Sequence, residues 1–214
     1  MPLLQAYDLS HTFDYTLFDN VYFSLEPKES MAILGVSGCG KSTLMHICST
    51  LLQPQKGEVM LFDKNIYHED ENERLMLRRY DVGIIFQSHY LFKGFFANEN
   101  VELASLIASQ EIEEQMLSKL GIKELMHHRI GELSGGQQQR ISIARVLAKK
   151  PKIIFADEPT GNLDDKTAHD VMDVLLEYTE QNNGALLLVT HNQQLAKACT
   201  YVRHLHVDGL KEEA

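Results

Sequence analysis

The chain has 214 residues, 44% of them apolar, enough to bury a core in one domain or in one domain carrying a small subdomain. With 30 acidic residues against 20 Lys and Arg the formal charge is −10, which argues against nucleic acid as the main partner, because that binding rests on clustered cations neutralising phosphates. The three cysteines, Cys39, Cys48 and Cys199, lack metal-ligand spacing. No apolar run approaches the ~20 residues that span a bilayer, and the start Met1-Pro2-Leu3-Leu4-Gln5 is unlike a signal peptide, so the expectation is a reduced, cytoplasmic chain without disulfides or zinc.

Leu3 to Leu9 and Val21 to Leu25 are predicted strands joined by a polar loop, and Pro27-Lys28-Glu29 turns the chain into the apolar run Met31-Ala32-Ile33-Leu34. In the polar loop, Phe13 is placed either to stack on an adenine or to pack under the loop. The run is followed by Gly35-Val36-Ser37-Gly38-Cys39-Gly40-Lys41-Ser42-Thr43, which completes G-x-x-x-x-G-K-[ST] in the strand–loop–helix context that a phosphate-binding loop requires. Its glycines let backbone N–H groups face a polyphosphate, and the helix that follows adds unpaired N–H groups and a positive dipole end. Lys41 supplies a point charge for the terminal phosphates, and Ser42 a hydroxyl for the Mg²⁺ that bridges them.

Gly57 to Phe62 is a further predicted strand and Glu69 to Arg79 a charged helix. The acidic run His68-Glu69-Asp70-Glu71 is expected to be the start of that helix, where carboxylates are favoured, and not a metal site. Asp81 to Gln87 is a short apolar run ending in a polar residue. From Ala97 to about His128 the signals are helical only: Val101, Leu103, Ala104, Leu106 and Ile107, then Ile112, Met116, Leu117 and Leu120, recur near the 3.6 period, and Gly121 is a stop. This stretch looks like a helical subdomain mounted on a sheet.

Ser134 and Gln137 have the spacing of a capping box. Gly135 and Gly136 each cost ~1 kcal/mol of helix propensity that a mere cap does not require, and they suit a close approach of backbone N–H groups to a phosphate. Lys152 to Ala156 has the continuous apolar character of a buried parallel strand and ends in Asp157 and Glu158. Asp157 is placed to hold Mg²⁺ through its water shell and Glu158 to polarise an attacking water. Gly161-Asn162-Leu163-Asp164-Asp165 is a loop before another helix, and Ala185 to Thr190 a buried strand ending at His191. Gly35, Gln87, Asp157 with Glu158, and His191 all lie just beyond the C-terminal end of a predicted strand. In an open parallel sheet those ends share one ligand-binding edge.

With these residues in place the chain resembles the ATP-binding-cassette (ABC) ATPases over nearly its whole length. The motifs occur in the family order: the P-loop, Gln87 of the Q-loop, the signature Leu133-Ser134-Gly135-Gly136-Gln137, Asp157-Glu158, the D-loop Asn162-Leu163-Asp164, and His191. The resemblance implies an α/β P-loop NTPase fold of one ABC domain, with a mostly parallel core sheet and an antiparallel β entry (1–87 and 134–214) and an inserted helical subdomain (88–133). It also implies an ATP-dependent head-to-tail homodimer in which Ser134, Gly135, Gly136 and Gln137 of one copy touch the ATP held by the other, and Asp164 links the two sites. Gln87 would sense Mg²⁺ and relay closure to the helical subdomain, which receives a membrane permease; His191 would contact the γ-phosphate and organise the water and Glu158. Within the family, Thr160 to Asp164, Phe86 to Leu91 and Thr190 to Lys197 look most like the LolD, MacB and FtsE branch, with lipoprotein release by a LolD-like system as the first expectation and a MacB-like exporter or FtsE-like regulator as alternatives. Such a subunit sits peripherally on the cytoplasmic side of a bacterial inner membrane.

The chain departs from the family pattern at four points. Phe13 stands where Tyr is common, Lys28 where Gly is common, and Asn192 where Asp is common. Cys39 replaces a small residue in the P-loop, where the helix terminus and Lys41 are expected to favour its thiolate. The short segment between P-loop and signature lacks the long coiled coil of DNA-repair and chromosome ATPases, and the length excludes the paired cassettes of translation-factor relatives.

Overall fold

Two-residue alternation decides how the central sheet is covered. The computed structural model describes residues 1–212. In chain order its strands are β1 (Leu4–Thr12), β2 (Thr16–Leu25), β3 (Ser30–Leu34), β4 (Lys56–Leu61), β5 (Lys64–Asn65), β6 (Val82–Ile85), β7 (Ile153–Asp157), β8 (Ala185–Val189), β9 (Tyr201–His206) and β10 (Gly209–Glu212). The helices are α1 (Lys41–Cys48), α2 (Glu71–Tyr80), α3 (Ala97–Ala108), α4 (Glu114–Lys119), α5 (Gly135–Leu147), α6 (Asp165–Gln181) and α7 (Gln193–Ala196). One sheet runs in the order β10-β9-β3-β8-β7-β6 and is parallel except at β10. The other, β2-β1-β4-β5, is antiparallel.

Every residue of β3 and β8 is buried, as befits a parallel strand covered on both faces. Met31, Ile33, Ile153, Phe155, Leu187 and Val189 point to one face, where they join α1 and the antiparallel sheet. The residues between them, Ala32, Leu34, Ile154, Ala156, Leu186 and Leu188, point to the other face and join α3, α5 and α6. Each large side chain so buried contributes about 1.5–3 kcal/mol of transfer free energy, so this sandwich holds the strand ends in fixed relation.

The predicted strands are all present, with shifted ends. β1 and β2 run further towards each other than expected, which turns the polar loop into a tight hairpin tip where Phe13 N donates to Tyr15 O at 3.1 Å. The acidic run does start a helix: the Asp70 side chain accepts from Glu73 N at 2.9 Å. In the helical stretch the period is broken into α3, α4 and 3-10 turns, and its apolar positions divide. Val101 and Ala104 are buried, whereas Leu106 is 76% exposed and Ile107 42%, because α3 packs on α5 along one side only. Strands β5, β9 and β10 have no clear sequence signal; β9 mixes polar and half-buried residues and is positioned by its parallel pairing with β3. Lys28 adopts φ 72°, a left-handed turn that explains why glycine suits that position.

Candidate active site

Each site residue stands at the end of an element whose local chemistry puts it there. β3 runs into the phosphate-binding loop, and two glycines there leave little room for a side chain. A Cβ on Gly35 would sit 2.7 Å from Cys39 Sγ, and one on Gly40, at φ 101°, would meet Leu17 and Phe18 at 3.0 and 3.1 Å. Gly40 is also the residue from which α1 starts, so the loop is wrapped tightly enough for its N–H groups to form an anion-binding concavity. Lys41 Nζ donates to Gly35 O at 2.8 Å and Val36 O at 3.1 Å. Its ammonium is thereby held over the loop, in hydrogen bonds that a phosphate oxygen can replace.

The neighbouring strand ends complete one edge in the order β3, β8, β7, β6, and bring His191, Asp157 with Glu158, and Gln87 beside the loop. These residues, together with Phe13, Ser37, Gly38, Gly40, Lys41, Ser42 and Thr43, line a cleft of about 450 Å³. Burial pushes the Asp157 carboxyl above its ordinary value, and the neighbouring Ser42 hydroxyl opposes that shift. Glu158 has φ 45°, uncommon for a non-glycine residue, with its N–H bonded to Val189 O at 2.9 Å. Its Oε1 lies 2.8 Å from His191 Nδ1, and its Oε2 accepts from Thr190 Oγ1 at 3.1 Å. The Glu158 side chain is 13% exposed against 76% for His191, so the carboxylate is desolvated and oriented while the imidazole reaches outward. That is an arrangement for orienting a water or a phosphate oxygen.

A second group of predicted residues lies on a separate face. Ser134, Gly135, Gly136, Gln137 and Asp164 line one surface with His89, Arg140, Asn162 and Thr167. The capping box is formed: Gln137 N donates to Ser134 Oγ at 3.3 Å, and Ser134 N donates to Gln137 Oε1 at 2.8 Å. Asp164 caps α6, accepting from Thr167 N at 3.0 Å and Thr167 Oγ1 at 2.7 Å, and these bonds hold its carboxyl below the usual range. The structure thus brings Phe13, the P-loop, Gln87, Asp157, Glu158 and His191 together, and keeps the signature residues with Asp164 apart from them.

Some neighbours have no motif of their own. Tyr15, 63% exposed, lines the same cleft as Phe13; its one signal was a second aromatic two residues on in the same loop. Thr190 was legible only as the end of an apolar run, yet it orients Glu158 and accepts from Asn192 N at 3.1 Å. Asn192 in turn accepts from Gln194 N and Leu195 N, a capping role for which Asn and Asp are equally suited.

A glycine loop opening a helix at the C-terminal edge of a parallel sheet, with two carboxylates and a histidine on adjoining strand ends, defines a P-loop nucleoside triphosphatase. Residues 18–161 match the ABC transporter family. The lipoprotein-releasing system ATP-binding protein LolD of Xanthomonas campestris is 39% identical over 204 residues, 92% of this chain and 85% of that protein. The LolD of Rickettsia bellii is 42% identical over 186 residues, 84% of this chain and 82% of that one. Among solved structures, the dimeric post-hydrolysis state of the ATP-binding cassette MJ0796 bound to ADP and Pi superposes with a TM-score of 0.89 at 30% identity, covering 99% of this chain and 97% of that one. The chain belongs to the ABC transporter family and is one of its ATP-hydrolysing cassettes.

Proposed function

We propose that this ATPase powers lipoprotein release from a bacterial inner membrane through a separate membrane subunit. The observation that carries the reading is the similarity to LolD proteins at 39–42% identity over 84–92% of the chain. The site supports the enzymatic part. The loop N–H groups and Lys41 bind the triphosphate; Phe13 presents a ring to the adenine. The oxygen donors Ser42, Asp157 and Gln87 suit a hard cation, and Mg²⁺ held there supplies charge neutralisation at the phosphates. Glu158 draws a proton from the attacking water while His191 and Thr190 hold its carboxylate in place.

Two incomplete faces on one chain favour a head-to-tail dimer, in which the α5 N-terminus of each copy covers the ATP held by the other. A two-fold axis makes both contacts equivalent. ATP then favours the closed dimer and hydrolysis releases it. For the membrane subunit, the segment after Gln87 offers exposed Tyr90, Phe92 and Phe95, and α3 offers exposed Leu106. Buried Asn100 shapes this segment, accepting from Phe92 N and donating to Phe92 O and Phe96 O. Residues 88–133 act as the helical unit that moves with that partner, against a core of 1–87 and 134–214. The similarity to LolD proteins supports a peripheral place on the cytoplasmic side of the inner membrane; no helix among the described residues is long and apolar enough to cross a membrane.

The test is to capture the membrane partner with the tagged chain and reconstitute both in proteoliposomes carrying a lipoprotein. ATP-dependent release supports the reading. Capture of a many-helix permease, or hydrolysis coupled to no release, overturns it in favour of an importer or a regulatory ATPase.

A further inference from the structure

His11 is a buried histidine that the phosphate chemistry leaves unused. It is 4% exposed, and neither ring nitrogen has a hydrogen-bond partner among the described residues, an arrangement that carries a desolvation cost a phenyl or aliphatic side chain avoids. Since no polar contact explains the residue, what the ring does is touch other rings. Its centroid lies 4.8 Å from Phe13 with the planes at 79°, edge to face. On the other side it lies 6.4 Å from Phe18 at 29°; both separations fall in the range of favourable aromatic pairs. Phe18 is fully buried, and its Cδ1 is 3.1 Å from the place a Cβ on Gly40 would take. A contiguous run of side chains therefore joins exposed Phe13 to the glycine from which α1 starts.

The hairpin explains why Phe13 needs such a support. β1 and β2 pair His11 with Phe18 and Thr12 with Thr16, with irregular register on both sides of His11. Beyond Thr12 the tip has little cover, and Phe13 is 61% exposed. Gln55 holds the backbone there, accepting from Thr12 N and donating to Thr12 O, each at 2.7 Å. Those bonds leave the Phe13 side chain free to turn. Burial lowers the His11 pKa below the ordinary histidine value, which keeps the ring a neutral aromatic.

We propose that His11 is a positioning residue for the nucleotide base, holding the Phe13 ring in the orientation on which adenine stacks and tying that ring through Phe18 to the P-loop. This rests on Phe13 being the base platform. The grip on the triphosphate by Lys41 and the loop is independent of it, so loss of His11 is felt through the base alone.

The test is steady-state ATPase with inorganic tripolyphosphate as a competitor that engages the loop but has no base. His11→Ala and Phe13→Ala are each expected to raise the KM for ATP about three- to tenfold, the worth of an aromatic pair, and His11→Ala to keep kcat and the tripolyphosphate inhibition constant. His11→Phe restores the KM. If His11→Ala does not fold, His11→Leu fills the volume without a ring and is expected to show the same rise. A raised KM in Phe13→Ala beside a wild-type KM in the His11 variants overturns the inference and leaves the platform standing. An unchanged KM in Phe13→Ala overturns the platform and the inference with it. A parallel rise in KM and in the tripolyphosphate constant means that His11 only supports the loop's fold, and also overturns the inference.

Discussion

The two faces that carry the nucleotide-site residues are built on opposite principles. On the P-loop face charge is half-buried and held by the fold: the Glu158 side chain is 13% exposed, burial raises the Asp157 carboxyl above its ordinary value, and Lys41 is tied to loop carbonyls. In such surroundings electrostatic interactions are strong and prearranged. On the signature face Ser134, Gly135 and Asp164 are exposed, and their polar groups are already used to cap α5 and α6. That face offers a helix N-terminus, which is worth little in water and more once another surface excludes solvent. One face is therefore proposed to hold a ligand alone, and the other to act only when covered.

Four measurements break or sharpen this contrast. The largest effect is expected for Glu158→Gln, which keeps the shape of the side chain and one of its two accepting oxygens but removes the base. Turnover should fall by about 10²–10⁴-fold, and size-exclusion with light scattering should show a dimer with Mg-ATP and a monomer without; turnover near wild type would refute the role given to Glu158. Next comes Gly135→Asp. A Cβ at Gly135 meets nothing within 4 Å, so the monomer should fold and bind ATP normally while ATPase activity falls by roughly 10²-fold, because the added carboxylate repels the phosphates that the α5 N-terminus would cover, a loss on the scale of a disabled preorganised donor. Equal loss of nucleotide binding would mean the signature face acts within its own chain.

Lys41→Ala is the mirror experiment. It should weaken ATP binding to the monomer by about 10-fold to 10²-fold, the worth of a charged hydrogen bond, measured by titration calorimetry, and leave the α5 cap untouched. The smallest effect lies just beyond the far end of α5, which exposes its start and buries Lys149 past its last turn. Burial, and then Arg145, lower the Lys149 pKa to about 8, while Nζ donates to Arg78 O and Val82 O. Below that pH the buried charge costs stability in full. As pH rises towards the unfolded value the native state sheds the proton first, so the fold gains stability between about pH 8 and 10. The wild-type Tm should rise over that interval relative to Lys149→Met by roughly 3 °C; parallel pH profiles would refute it.

What the sequence determined by itself is local. The P-loop, the Ser134–Gln137 capping box, the acidic start of α2 and the burial of β7 and β8 were legible because each requirement is met within a few residues: glycines where the backbone wraps a phosphate, a short polar side chain where a helix leaves N–H groups bare, carboxylates at the positive end of a helix, an apolar run where both faces are covered. Their convergence on one edge was also readable, since strand ends of a parallel sheet share it. Only the tertiary structure decided the pairings across long separations. The Thr190–Glu158 bond, the placing of Tyr15 in the cleft, the contact of Phe13 with His11 and the exposure of Leu106 on an apolar helix depend on sheet register and on which side of α3 receives α5. The periodicity of a helix states that it has an apolar face; what covers that face is a property of its neighbours.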